Sequence, residues 1–164
     1  MIRYTLFQRF NKKLQFPKEL RTTSEFLKKA RLTYKMKLYH ATIIYCVLAI
    51  ESFWWRVRFE KPDIFDSYIS STRGKKWLYK AQEEGLMTSD QRAVVDAIYS
   101  VRDAHMHFNP YMKTVGVYTN ALRRFGLDIT LLSKKLQHIA SKPIAKTVYL
   151  KTEELFKQWI SIVV

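Results

Sequence analysis

Arg102, Asp103, His105 and His107 fall within six positions of one another in the run YSVRDAHMHFNP (residues 99–110), just before Pro110. Two of the chain's four histidines stand there. Histidine titrates near neutrality and serves as proton donor or acceptor. Arginine keeps its charge and matches phosphate oxygens with a planar fork. A neighbouring carboxylate can fix that fork or one imidazole tautomer. Together these side chains are equipped to move protons around a phosphoryl group.

Two other readings compete. A metal site would need both histidines on one side, but on a helix His105 and His107 point about 200° apart. Asp103 is the nearest further ligand, so neither a metal nor a cofactor is expected. A plain helix end would also collect Arg and His, because cations interact favourably with the C-terminal dipole. Against that stands the clustering: Arg102 directly follows a buried stripe ending at Val101, and titratable groups gathered at such a point mark sites.

The partner class comes from charge. The chain of 164 residues holds 29 Lys+Arg against 14 Asp+Glu, a net of +15. Residues 1–40 alone carry 11 basic and 2 acidic side chains. Such a surface favours a polyanion, nucleic acid before an anionic membrane, with a solvated face that only aids solubility as the alternative. The longest apolar stretch without a charged residue, Leu38–Ile50, has 13 residues, short of the roughly 20 a spanning helix needs. No membrane association is expected. The basic start MIRYTLFQRFNKKLQF lacks a signal-peptide core and is read as mature chain. A single cysteine, Cys46, in an apolar run excludes a disulfide framework, and a reducing, cytoplasmic setting is expected.

The elements that must position the cluster are helical. Thr22 and Glu25 have capping-box spacing, predicting a helix from about Thr23. HATIIYCVLAIESFWWRVR (40–58) is apolar on nearly every side, the pattern of a helix central to a bundle, with Trp54 and Trp55 read as core in preference to base-stacking platforms. No Gly or Pro separates these segments, so one long helix or a bent pair is expected. Residues 61–72 read as a connection. A helix then stops at Gly85, and Ser89 caps the next, with Asp90 in its first turn. That helix carries Ala93, Val94, Ala97, Ile98 and Val101 as its buried stripe and ends near Asn109. Two last helices flank Pro143. The expectation is one all-α domain over 1–164, a bundle of five or six helices with a basic N-terminal extension over 1–22.

At this point the residues resemble a family. Arg102, four residues, then His107, with polar Asp103 after the Arg, looks like the signature of the HEPN superfamily of small all-α domains, many of them metal-independent ribonucleases of toxin–antitoxin and phage-defence systems. LYKAQEEGLMTSDQRAVVDAIYSVRDAHMH (78–107) resembles that family's helix, Gly-Leu turn, capped helix and Arg…His ending. ATIIYCVLAIESFW (41–54) resembles its apolar helix with an Ala-x-Glu element, here Ala49, Ile50, Glu51. The resemblance spans residues 40–110. Two positions depart: many members carry Asn where Asp103 stands, and a modified Tyr of one branch is replaced by Asn109. Control by that modification is therefore not expected. The resemblance implies a HEPN-like fold, RNA cleavage, a homodimer, and an antitoxin or other regulatory protein as partner.

The chemistry fits on its own terms. Cleaving RNA through its 2′-hydroxyl needs a proton acceptor, a proton donor and a cation for the charge building on phosphorus. One Arg and one His make half of that, so a second copy across a two-fold axis is expected. His107 matches the family motif and is taken as catalytic, although on an ideal helix it lies about 140° from Arg102 and His105 only about 60°. His105 and Asp103 are counted with the catalytic group, His105 supporting His107 or contacting RNA. Glu51, the acid of the apolar helix, needs a partner if buried, with Arg102 as a candidate, and an exposed Glu51 is the equal alternative. Lys28, Lys29, Arg31, Lys35 and Lys37, with Arg123 and Arg124, are the expected RNA contacts. A catalytically silent RNA-binding or scaffold protein of the same fold is the alternative.

Overall fold

A computed structural model describes residues 14–69, 76–106 and 142–163, with the backbone alone given for 66–69 and 104–106. Among them are six α-helices and no strand: α1 (Arg21–Lys35), α2 (Tyr39–Glu60), α3 (Pro62–Ile69), α4 (Lys76–Glu83), α5 (Ser89–Met106) and α6 (Lys142–Trp159). The described residues are all-helical in class, as the periodicity predicts. The expected helix over 128–140 and the piece over 111–126 lie outside the described residues.

Because α2 has apolar residues all round, it takes the middle of the bundle and packs against α1, α3, α5 and α6. The side chains of Ile43, Ala49, Ile50, Phe53 and Val57 are fully buried. Hydrogen bonds Thr23–Ser52 and Thr33–Thr42 link the hydroxyls of α1 and α2 in antiparallel register. Phe53 meets Phe156 at 5.7 Å and Trp54 meets Trp159 at 5.1 Å, while Cys46 faces Thr152, so α6 runs parallel to α2. Trp77 of α4 closes the cluster at 5.3 Å from Trp54. Aromatic pairs of this kind add about 0.5–1.5 kcal/mol each beyond simple burial. Gln91 near the start of α5 bonds Gln158, and Tyr99 further along bonds Glu51. The C-terminal half of α5 is thereby laid alongside the middle of α2.

Several local expectations are corrected. The expected long or bent helix is a hairpin, broken without Gly or Pro because Lys37 adopts a left-handed φ of 62°. The Lys37 and Leu38 amides then bond the Tyr34 and Thr33 carbonyls, a Schellman ending. Helix α1 begins at Arg21 after a short 3-10 turn, and no side-chain cap bond forms at its start. Glu25 pairs with Lys28 instead. The reciprocal capping box lies at Thr88 and Gln91, one residue before the expected cap Ser89. The connection over 61–72 holds α3, which opens on Pro62, a position where the missing amide costs nothing. Leu14 and Phe16, in the stretch read as an N-terminal extension, pack onto the core.

Candidate functional site

Arg102 and Asp103 stand in the last turns of α5, right after the fully buried Val101. The Arg102 side chain is 30% exposed, and its Nε lies 2.8 Å from Asp103 Oδ1. That separation is an ion pair, although the Nε–H is not aimed at the carboxylate and forms no hydrogen bond with it. The guanidinium carbon sits 5.1 Å from the centre of the Tyr99 ring, one turn earlier. A cation over an aromatic face gains about 0.5–2 kcal/mol, more as water is excluded.

Tyr99 is the residue that sequence reasoning missed. Its ring is buried under Arg102, and its hydroxyl donates to Glu51 Oε1 at 3.1 Å across to α2. Burial first, then the Glu51 carboxylate, pushes the phenol well above the ordinary tyrosine range, with Arg102 opposing. The hydroxyl is therefore a fixed donor at neutral pH. Here the expectation for Glu51 is corrected: half-buried, it is held by the Tyr99 hydroxyl, and the Arg102 ion pair goes to Asp103. An aromatic three residues before the arginine, on the same helix face, was the available signal. Glu51, Tyr99, Arg102 and Asp103 thus form one chain of contacts from the central helix to the surface.

His105 lies on the α5 backbone, and its side chain is outside the described residues, as are His107, Arg123 and Arg124. The expected backbone contacts Lys28, Lys29, Arg31, Lys35 and Lys37 are all exposed. They ride on α1 and its following turn, and α1 packs against α2 and α6, whereas Arg102 belongs to α5. Lys28 pairs with Glu25, whose carboxyl is held below its usual range by that bond. Lys29 lies 5.8 Å from the rings of Phe26 and Tyr45. Leu32 and Met36 between these cations, and Leu38 after them, are also exposed.

The reading of both adjacent tryptophans as core holds for one of them. Trp54 is 1% exposed and Trp55 is 51% exposed, since neighbours on a helix point about 100° apart. Arg58 lies against the Trp55 ring, 4.6 Å from its centre. No helix among the described residues is long and apolar enough to cross a membrane. No family model, curated protein or solved structure matches the chain.

Proposed function

We propose that the chain is a HEPN-like, metal-independent endoribonuclease, a cytoplasmic toxin or defence effector working as a homodimer. The observation that carries this reading is the mounting of Arg102: a permanent cation, part-exposed, held between the Tyr99 ring and Asp103, five residues before His107. In the proposed reaction the 2′-oxygen attacks phosphorus and the bond to the 5′-oxygen breaks, leaving a 2′,3′-cyclic phosphate. One histidine accepts the 2′-hydroxyl proton and another donates a proton to the departing oxygen. With His107 supplied by each of two copies, both roles are filled. Arg102 holds the phosphoryl oxygens as negative charge builds.

The ion pair with Asp103 favours a second reading, a silent RNA-binding protein in which Arg102 is a structural group. Incubating the purified protein with RNA in EDTA separates them. Cleavage that persists in EDTA and disappears in Arg102→Ala and in His107→Ala, with RNA affinity and fold retained, is the result expected of groups acting on the transition state. RNA that is retarded on a gel but stays intact establishes the binder. Activity lost in His105→Ala and kept in His107→Ala reassigns the catalytic histidine.

A further inference from the structure

Helix α2 places Glu51, Trp55 and Phe59 four residues apart, so they form a single stripe along its surface. At 1.5 Å per residue each step is about 6 Å. The stripe starts at the carboxylate that holds Tyr99, and through it touches the mounting of Arg102. It then leads away along two open rings. Trp55 is 51% and Phe59 75% exposed, although both belong to the helix that otherwise forms the core. Each ring is accompanied by an arginine: Arg58 against Trp55 at 4.6 Å and Arg56 against Phe59 at 5.5 Å. Arg58 is itself nearly buried, so it underlies the indole instead of shielding it from solvent. Lys61 follows at the helix end, and the nearby acid Glu60 is neutralised by Arg56.

Aliphatic side chains in such positions would suit a protein or lipid partner. Open flat rings, one of them backed by the Arg58 guanidinium and both followed by Lys61, on a chain of net charge +15, suit unpaired bases joined by phosphates. We propose that Trp55 and Phe59 are a stacking track for single-stranded RNA, holding the bases next to the phosphate presented to Arg102. The proposal rests on the ribonuclease reading for its direction toward Arg102, and its test does not require cleavage.

The test uses the full chain and a short oligouridylate with 2′-O-methyl riboses, which can bind but cannot be cut by its own 2′-oxygen. Of the four tryptophans, Trp54 and Trp159 are buried and Trp77 is half-buried, so Trp55 is the exposed reporter. The oligonucleotide should quench the tryptophan emission, and Trp55→Leu should remove most of that quench. Trp55→Ala and Phe59→Ala should each weaken binding by roughly tenfold, with Trp55→Phe restoring most of it. Because the rings carry no charge, the salt dependence should keep its slope. A blunt RNA duplex, whose bases are already stacked, should bind the wild type and both alanine variants alike. Unchanged oligonucleotide affinity in both alanine variants overturns the track. So does a wild-type dimer that becomes monomeric in those variants with RNA affinity intact, since the rings would then be a contact between copies. Ring-dependent binding by a protein that cuts no natural RNA would uphold the track and remove the ribonuclease reading alone.

Discussion

Deleting one oxygen from Tyr99 separates its two jobs. Tyr99→Phe leaves the ring under Arg102 and takes the donor away from Glu51. A hydrogen bond to a charged acceptor is worth about 1.5–3 kcal/mol, and Glu51, half-buried, recovers part of this from water. Urea unfolding should show a loss of about 1–2 kcal/mol, and on the proposed ribonuclease reading cleavage should be reduced but measurable. Tyr99→Ala also removes the ring and should cost about 3 kcal/mol or more. Equal losses in the two variants would show that the ring contributes nothing. At this scale residue type was enough to single out Arg102, Asp103 and Glu51 but not their partners: Glu51 bonds Tyr99, and Arg102 pairs with Asp103. Tyr99 was hidden because a tyrosine between Ile98 and Val101 looks like core. Trp55 was misread because an apolar-all-round pattern conceals which single position faces out.

Two helix ends solve one problem with different residues. Gly85 follows α4 with φ of 71°, its amide bonding the Gln82 carbonyl and that of Leu86 bonding Ala81. Lys37 occupies the equivalent place after α1 at φ of 62°. A Cβ at Gly85 would meet nothing within 4 Å, so the whole cost of adding one is conformational. Left-handed geometry costs an L-residue about 1–2 kcal/mol, against about 0.4–1 kcal/mol recovered by restricting the unfolded chain. Gly85→Ala should therefore lower stability by about 1 kcal/mol, a shift that thermal denaturation resolves. No change in melting temperature would contradict that balance. The Gly85 ending was legible because glycine is the usual signal. The Lys37 break was not, since nothing in KMKLYH marks a left-handed residue. Buried apolar faces on both sides and the Thr33–Thr42 bond hold the hairpin closed.

Across the whole molecule, alkaline pH should act on buried acids that no surface count reveals. Tyr99 and Tyr149 are both pushed above the ordinary tyrosine range, first by burial and then by the carboxylates Glu51 and Glu153 they bond. Burial raises the Cys46 thiol from 9.0 to about 12. In the unfolded chain these groups release protons at their ordinary values, while the folded chain retains them. Stability is then full below about pH 8.5 and falls as pH rises, by about 1.4 kcal/mol per pH unit for each group in its window. Cys46 acts first, and the two tyrosines join above about pH 10. Chemical denaturation repeated from pH 7 to pH 11 should show that decline, and a flat profile would deny the burial. The helical class and the charge excess were legible at this scale because both are sums over many residues. Which helices touch was not, because the pairings of α2 depend on shape matches such as Phe53 with Phe156.

The lone thiol also makes the molecule its own stopwatch. Cys46 is fully enclosed between α2 and α6, with Thr152 against it. A thiol reagent reaches it when those two helices part, so labelling at neutral pH counts openings of the central seam. Whatever binds the closed chain lengthens the wait by the factor one plus ligand concentration over Kd. Slower labelling in the presence of an uncleavable oligonucleotide would thus weigh RNA binding in a protein that needs no dye, no tag and no turnover.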